Sequence, residues 1–562
     1  MYSTRCAVLL GLLLGPLVTE AAKPKAAPAP VISRGDWARF LQQATFGPKP
    51  QEIEDYPKAD YSAWIASQVA LPPTRYPNLP AFPSNSADGC PSTATDNPNC
   101  VRDNYSMYPL QVHFFKTALT AQDQLRQRVA FALSQIFVVS GVRIRQPSSL
   151  APFLNILVDG AFGNFRELLE AITVNPAMGQ YLDMVNSVAA TPNSTARPNE
   201  NYARELLQLF SIGLEPLNLD GSPKRDAAGQ TVPTFQQETV EGFTRAFTGW
   251  TYATLPGATP RRANPANFLA PMEVYRVNGK AVTHDAAAKT LLNYPGVTRA
   301  VLPANQDAAV DLKEALDNLF GHPNVGPFVA RRLIQQLVSS NPSPGYVARV
   351  ASAFNDNGQG VRGDLKATVT QILLDPEARE APGSRPEAGK FREPVLFLTT
   401  LLRGVGAESD GILNSRTQPL GEDVFRAPSV FNYYPARYPI PGTSLEGPEF
   451  ALAGSAALIA RANLVNTLVY SKITSPAPDT GTALSFGVLD ALAAQPDPGP
   501  LLDTLSANLL QDGMSPIMRA TLQRASALAC TPMATGSCSN AHARAQAALY
   551  LVATSAAFQI QR

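Results

Sequence analysis

The sequence predicts a mainly α-helical, multi-helix globular protein with two small β-hairpin excursions. Three observations support this prediction: apolar residues recur at helical spacing along most of the chain, 50 prolines are scattered through its 562 residues, and two short alternating segments surround Asp-Gly or Asn-Gly. Scattered prolines favour many short helices joined by stiff loops. Asn-Gly between alternating residues is a strong hairpin signal.

The N-terminus has the pattern of an export signal. Arg5 precedes a leucine-rich apolar run from Ala7 to Val18, and Thr19 and Ala21 place small residues at the two positions that a signal peptidase reads. The run is too short to cross a bilayer, although an uncleaved N-terminal anchor is the alternative. We therefore expect a periplasmic or secreted protein, and no further stretch is long and apolar enough to predict a membrane span.

The expected domain organisation follows from this signal and from the composition after it. We predict a signal peptide at residues 1–21, an Ala/Pro linker at 22–34 and a helical domain at 35–562, with a candidate subdivision near 380–390. A hydrophobic content of 45% is ordinary for a protein with a large core.

Charge is balanced along the chain. The 46 lysines and arginines oppose 45 aspartates and glutamates, the net charge is +1, and no block of like charge occurs. A nucleic-acid-binding protein would normally carry a basic stripe or patch. The composition therefore predicts no nucleic-acid partner.

Four cysteines follow the signal, in two close pairs within polar loops: Cys90, Cys100, Cys530 and Cys538. An oxidising compartment favours disulfides, and short separations favour Cys90–Cys100 and Cys530–Cys538 among the possible connectivities. A four-thiolate zinc site is the alternative, but zinc knuckles place their cysteines much closer together in sequence than either pair.

Most of the chain after the linker is predicted to be helical from capping residues and apolar spacing. In order, predicted helices begin near Trp37, after Asp60, after a capping box at Thr120–Asp123 and after Asn164, and later ones cover 307–320, 324–339, 346–355, 364–374, 448–471 and 540–559. Two hairpins interrupt them. The first turns at Asp220-Gly221, and the second, which has the clearer pattern, alternates around Asn278-Gly279.

Two further helices carry most of the polar residues of interest. The first is predicted from Asn199 as N-cap to Gly213 as a left-handed stop. The second is predicted from a capping box of Thr234 and Gln237 to Gly249. Each has one apolar and one polar face.

Several segments resemble the large bacterial family known as domain of unknown function 1800. They are similar to the family's opening, its most distinctive helix and later elements: Arg39–Pro48, Asn199–Leu206 ending at Ile212-Gly213, Arg245–Trp250, His284-Asp285 with Lys289, Lys390–Val395 and Ala427–Asn432. The resemblance covers nearly the whole chain after the signal. It implies an exported, mostly helical protein, often encoded beside an alkaline-phosphatase-like exported protein, and it implies no particular reaction.

The polar faces of the two helices predict a site if they pack together. The predicted catalytic residues are Glu205, Glu241, His284 and Asp285, and the predicted anion-binding residues are Arg204, Arg245 and Asn201. Guanidinium groups suit a carboxylate, sulfate or phosphate. Carboxylates with an imidazole suit a divalent metal ion, for which the candidate ligands are Glu205, Glu241 and His284.

A structural role is the alternative for each of these residues. Surface pairs at i,i+4, such as Glu200–Arg204 and Glu241–Arg245, contribute only about 0.3–0.5 kcal/mol. Asp285 is also a suitable N-cap for a helix at 286–292.

Common catalytic motifs are absent from the sequence. It contains no G-x-S-x-G, no H-E-x-x-H and no Glu-x-x-His. Gly358–Gly363 matches a dinucleotide-binding glycine pattern, but a helical segment precedes it where such a site needs a strand. From the export signal and the polar faces of the two helices, we expect an exported hydrolase or group-transfer enzyme acting on an anionic or polymeric extracellular substrate. The alternatives are a non-catalytic partner or assembly module for an alkaline-phosphatase-like protein, and a surface or matrix binding protein.

Overall fold

The computed structural model describes residues 32–92, 97–191, 197–381, 383–476, 479–530 and 539–562. The predicted signal peptide and most of the predicted linker lie outside these ranges. Within them the protein contains 25 α-helices, three short 3-10 helices and ten strands of two residues each. The mainly α fold class is therefore confirmed.

Twelve of the helices lie in the first half of the described chain. They are α1 (Arg34–Ala44), α2 (Pro50–Glu54), α3 (Tyr61–Ala70), α4 (Ser86–Gly89), α5 (Cys100–Asn104), α6 (Tyr108–Thr120), α7 (Gln124–Ser134), α8 (Pro147–Gly160), α9 (Phe165–Thr173), α10 (Pro176–Tyr181), α11 (Asn201–Gln208) and α12 (Gln237–Ala246).

The other helices follow residue 300 and include the longest one described. They are α13 (Ala308–Phe320), α14 (Val325–Leu337), α15 (Pro344–Asn355), α16 (Leu365–Leu374), α17 (Pro376–Arg379), α18 (Pro394–Gly404), α19 (Asn414–Thr417), α20 (Ser455–Tyr470), α21 (Gly487–Ala493), α22 (Gly499–Leu510), α23 (Pro516–Leu528), α24 (Ala541–Thr554) and α25 (Ala556–Gln559). The 3-10 helices are Tyr56–Lys58, Gln418–Leu420 and Pro448–Leu452.

The described strands form five antiparallel pairs. They are β1 (Trp250–Thr251) with β2 (Glu273–Val274), β3 (Arg276–Val277) with β4 (Lys280–Ala281), β5 (Lys289–Thr290) with β6 (Val301–Leu302), β7 (Lys390–Phe391) with β10 (Ile560–Gln561), and β8 (Glu408–Ser409) with β9 (Thr482–Ala483). The β7–β10 pair returns the end of the chain to its middle.

Several helix starts lie where short polar side chains predict them. The side chains of Asp60, Asn164, Asp307 and Asp364 each accept a hydrogen bond from a backbone N–H in the first turn of the helix that follows. Such a cap satisfies a backbone donor that has no partner within the helix. The predicted caps Asp60 and Asn164 are confirmed, and Asp307 and Asp364 cap two further helices that were predicted by their ranges.

The two predicted hairpins differ in structure. The Asn278-Gly279 turn is confirmed: it joins β3 to β4, and both of its residues have positive φ, 49° and 77°. The segment around Asp220-Gly221 instead forms two successive tight turns, closed by isolated bridges from Leu217 to Pro223 and from Arg225 to Thr231.

Two predicted helix starts and one predicted capping box are wrong. Helix α11 begins with Glu200 as its N-cap, because the side chain of Asn199 accepts from the N–H of Asn201 ahead of the helix. Helix α12 has Gln236 as its N-cap and no side-chain cap. Helix α7 does begin directly after Thr120–Asp123, but these residues form no capping box, since the N-cap Asp123 makes no side-chain cap hydrogen bond.

The helix expected at 286–292 is also absent, since this segment contains β5. Asp285 does accept from the N–H of Ala287, as a capping residue would. The backbone then extends because Lys289 turns inward, where its ammonium donates to two carbonyl oxygens and to Asp311. A buried ion pair therefore overrides the local helix signal.

The core surrounds two helices that are buried on all sides. Every residue of α18 is buried, as is every residue of α7 from Gln124 to Leu133. A helix buried all round is typical of the interior of a large protein. Among the described residues, none of the helices combines the length and apolar character that crossing a bilayer requires.

The cysteines agree with the predicted disulfides as far as the structure describes them. Cys90 and Cys100 form a disulfide with their Cα atoms 5.7 Å apart. Cys530 is also disulfide-bonded, and its predicted partner Cys538 lies outside the described residues.

Candidate functional site

The predicted arginine of α11 lies at the protein surface in a small polar network. Arg204 pairs with Glu200 at 2.7 Å, and Gln237 of α12 accepts from Arg204 and donates to Glu200, both at 3.0 Å. The Arg204 and Glu200 side chains are 40% and 35% exposed. In water such a pair contributes about 0.3–0.5 kcal/mol, so its main effect is to join α11 to α12.

Asn201 and Glu205 lie on other sides of the same helix. Asn201 is exposed, and its amide donates to Asp183 at 2.9 Å; Asp183 also pairs with Arg143. Glu205 is partly buried, and its Oε2 has no hydrogen-bond partner among the described residues. Burial raises the pKa of Glu205, while the charge of Arg204 opposes the shift.

The arginine of α12 pairs with a carboxylate that follows the β3–β4 hairpin. Arg245 donates to Asp285 through two bonds of 3.0 and 2.9 Å, and the predicted pairing with Glu241 does not occur, since Glu241 is exposed. Burial alone would raise the pKa of Asp285, but hydrogen bonds from Arg245 and the Ala287 N–H outweigh burial and hold it below its usual value.

His284 lies behind this pair in a fully buried polar cluster. Its Nδ1 is 2.9 Å from the carbonyl oxygen of Thr248 and its Nε2 is 2.8 Å from Asp311. Both ring nitrogens are therefore engaged, Nδ1 with Thr248 and Nε2 with Asp311. Lys289 pairs with the same Asp311 oxygen at 2.6 Å, and Gln306 donates to the other at 2.9 Å.

The structure thus brings together only part of the predicted site. Arg245, His284 and Asp285 are neighbours, whereas Arg204, Asn201 and Glu241 lie at the surface. Both nitrogens of His284 already have protein partners, Thr248 and Asp311. Among the residues that the structure describes, no group of three or more His, Cys, Asp or Glu side chains is arranged to hold a metal.

A cavity of about 500 Å³ lies elsewhere, between the end of α11, helix α14 and the loop 430–437. Helix α11 ends at Gln208, and Gly213, five residues later, has a φ of +72° where the chain passes Phe328 of α14. Asn324 then fixes the next segment: its amide donates to the carbonyl oxygens of Ile212 and Glu215 and accepts from the N–H of Leu217. This volume is within the usual range for small-molecule sites.

The walls of this cavity are mainly apolar, and its charged residues are unequally paired. The charged side chains that line it are Glu215, Arg331, Arg332 and Arg437. Glu446 pairs with both Arg331 (2.7 Å) and Arg437 (2.8 Å), and Glu215 lies 3.6 Å from Arg437. Two carboxylates therefore offset two of the three guanidinium groups.

Arg332 is the guanidinium without a counter-ion. No described acidic side chain forms an ion pair with it, its Nε has no partner, and its shortest hydrogen bond is 3.4 Å, to the carbonyl oxygen of Gln135. Burial lowers the pKa of Arg332 to about 10, so the side chain still carries its charge at neutral pH. The Arg332 side chain is half-buried. A charge partly removed from water without a counter-ion is unfavourable, and an anion in the cavity would relieve this cost.

The floor of the cavity is polar and held rigidly. Gln135 donates to the buried Glu393 at 2.9 Å and accepts from Asn432 at 3.0 Å. The hydroxyl of Tyr434 contacts both Gln135 (2.9 Å) and Glu393 (2.7 Å). Because each partner is buried, this network fixes the amide of Gln135 in one orientation.

More charged residues lie in the core below the floor. Glu422 accepts from the N–H of Val395 at 2.8 Å at the start of α18. Burial, and then the charge of Glu393, raise the pKa of Glu422 well above its usual range. Lys390 pairs with Glu449 at 2.9 Å with both side chains fully buried. Glu422 thus holds the first turn of α18, and Lys390 of β7 also donates to the carbonyl oxygens of Gln335 and Gln336 in α14.

The sequence reasoning missed Arg332. Two signals were available: the tandem Arg331-Arg332 in an otherwise apolar helix, and the segments Ile212-Gly213 and Ala427–Asn432, which carry the family resemblance and both border the cavity. Neither signal tells which arginine lacks a carboxylate, since Glu446 is 115 residues from Arg331.

Comparison with known proteins agrees with the resemblance of these segments. The family model described as protein of unknown function (DUF1800) matches residues 39–560, nearly the whole chain. No curated protein and no solved structure matches the chain. Because the match extends over almost all of the helices and both walls of the cavity, the chain belongs to the DUF1800 family.

Proposed function

We propose that this protein binds an anionic ligand in the cavity between α11 and α14. The observation that supports the proposal is Arg332, whose guanidinium lines the cavity and forms no ion pair with any acidic side chain that the structure describes. Arginine suits carboxylate, sulfate and phosphate groups because its planar fork donates two parallel hydrogen bonds. Low local polarity strengthens such a bond.

Binding of anions should be measured as thermal stabilisation of the oxidised protein. A ligand at 100 times its Kd stabilises the folded state by about 2.7 kcal/mol. We expect anionic compounds to raise the melting temperature, and Arg332→Gln to abolish the rise. Arg331→Lys is the control, because Arg331 lines the same cavity and lysine keeps the positive charge that faces Glu446. Equal stabilisation by cationic and anionic compounds would refute the proposal.

Hydrolysis or group transfer on the bound ligand is a second candidate function. It is favoured by Glu205, whose pKa is raised by burial and whose Oε2 is unpartnered among the described residues. Glu205 lies one helical turn before Gln208 and Leu209, which line the cavity. A carboxyl group with a raised pKa suits acid or base chemistry. Glu205→Gln should then abolish turnover with unchanged ligand binding and melting temperature.

The role of partner for an alkaline-phosphatase-like exported protein is the alternative. It is supported by exposed apolar side chains on α21 and α23: Val488, Ile517 and Leu528 are 69%, 82% and 89% exposed. Large apolar side chains as exposed as these are available for contact with a partner protein. Co-purification that survives Arg332→Gln and is lost in Ile517→Ser would favour this role over ligand binding.

Export from the cytoplasm is part of the same proposal. The basic and apolar pattern at residues 1–21 and the Cys90–Cys100 disulfide support it. Mass spectrometry of the protein from a periplasmic fraction should give a chain that begins after Ala21. A full-length chain confined to the cytoplasm would contradict export.

A further inference from the structure

The cavity differs in polarity between its floor and its mouth. Gln135 and Asn432 at the floor are 1% and 6% exposed, whereas Leu214 and Phe431 at the mouth are 56% and 54% exposed. Large apolar side chains exposed beside a cavity are typical of a binding groove for apolar groups. A ligand that fits this gradient carries its polar end inward and its apolar end toward the mouth.

The floor offers a ligand few free hydrogen-bonding groups. The amide of Gln135 is engaged with Glu393, Asn432 and Tyr434, and Gln335 donates to the carbonyl oxygen of Ser340. A ligand rich in hydroxyl groups, such as a sugar, would leave many of them unpaired against the apolar walls. Unpaired buried polar groups disfavour binding.

The charge of the site specifies the head group. Glu215 and Glu446 offset Arg331 and Arg437, which leaves the single charge of Arg332. A group with one negative charge balances it, whereas a phosphate monoester with two would leave one charge unbalanced. The planar guanidinium also matches the two oxygens of a carboxylate.

We propose that the ligand is an acyl-chain carboxylate, bound with its head group on Arg332 and its chain leading out between Leu214 and Phe431. This inference rests on the anion-binding function proposed above. The apolar lining near the head group includes Ile136, Leu209, Ile212 and Phe328. Each methylene that leaves water in such a wall adds to the affinity.

Isothermal titration of the oxidised full chain with decanoate, below its micelle concentration, tests the proposal. Acetate supplies the head group alone, and decyltrimethylammonium supplies the same chain with the opposite charge. We expect one decanoate per chain, bound at least about 100-fold more tightly than acetate and at least about 10-fold more tightly than decyltrimethylammonium.

Variants separate the head group from the chain. Arg332→Gln should weaken decanoate binding at least about 10-fold, and Arg332→Lys, which keeps the charge but loses the fork, should weaken it less. Arg331→Lys, which keeps the positive charge opposite Glu446 and so the net charge of the cavity, should leave it within about threefold. Phe431→Ser, an exposed position whose replacement leaves the core intact, should weaken decanoate several-fold and leave acetate unchanged.

The possible results distinguish this inference from the function on which it rests. If small anions bind as tightly as decanoate and Arg332→Gln abolishes both, the anion-binding function stands and the acyl-chain proposal is overturned. If decyltrimethylammonium binds as well as decanoate and Arg332→Gln has no effect, both are overturned. Absence of binding by every anion likewise overturns both.

Discussion

Replacement of Asp311 by asparagine tests whether the buried cluster around His284 holds the fold together. Asp311 is fully buried and accepts from His284 (2.8 Å), Lys289 (2.6 Å) and Gln306 (2.9 Å). Asparagine keeps the size of the side chain but removes its charge, so the buried ammonium of Lys289 loses its counter-ion. Removal of one partner from a buried ion pair costs about 3–5 kcal/mol.

Asp307→Asn is the matched control. Asp307 makes the same kind of pair with Arg276, but both side chains are 38% exposed, so the loss should be within about 1 kcal/mol. Asparagine can also keep the helix cap that Asp307 provides at α13. The two variants therefore differ mainly in how deeply the ion pair that they remove is buried.

Urea unfolding followed by far-UV circular dichroism measures both free energies of unfolding. The double variant Asp311→Asn/Lys289→Met should recover part of the loss, since it buries no unpaired ammonium. If Asp311→Asn loses no more than Asp307→Asn, the cluster does not stabilise the fold as described. If Asp311→Asn then retains stability but loses function, His284 and Asp311 belong to an active site.

Three further changes test other parts of the structure. Because burial raises the pKa of Glu422 in the folded protein, the native state keeps a proton that the unfolded chain releases. The free energy of unfolding therefore falls as pH rises above the ordinary pKa of glutamate. Glu422→Gln should reduce this fall when unfolding is measured from pH 5 to 8. Gly242→Ala should cost about 3 kcal/mol or prevent folding, because its Cβ would lie 1.7 Å from the carbonyl oxygen of Thr290; melting temperature and yield report this. Cys90→Ser/Cys100→Ser should lower the free energy of unfolding by up to about 3 kcal/mol, because the disulfide closes a loop with a sequence separation of 10. Thermal melting without reductant measures this loss.

Each of these changes has a control and a contradictory result. Glu408→Gln at an exposed position should leave the pH profile unchanged, and an unaltered profile in Glu422→Gln would refute the buried-proton argument. Gly487→Ala, whose Cβ meets nothing within 4 Å, should be neutral; the same tolerance at Gly242 would contradict the close packing of α12 on β5. A melting temperature of the cysteine variant equal to that of the oxidised parent would show that the disulfide contributes nothing.

Local signals in the sequence were sufficient for much of the fold. Asp60, Asn164, Asp307 and Asp364 begin helices because each side chain bonds to a backbone N–H only two or three residues away. The Asn278-Gly279 hairpin is equally local. Where the decisive contact is distant the prediction failed: the segment after Asp285 is drawn out of a helix by a residue of α13.

The candidate site shows the same division more strongly. The sequence identified polar residues at helical spacing. In the structure Arg245, His284 and Asn201 bind Asp285, Asp311 and Asp183. They therefore do not form a common pocket with Glu241. The sequence also could not indicate Arg332, because a charge is unpaired only when no carboxylate from any other segment of the folded chain lies beside it.

By itself, the amino-acid sequence determined the helical class, the family, the Cys90–Cys100 disulfide and the residues that cap and end many helices. Tertiary structure alone decided which charges are paired, which lie in the core and where a cavity remains. The physical reason is range: caps and turns depend on hydrogen bonds within a few residues, whereas the pairing of a buried charge depends on side chains that only the packed core brings together.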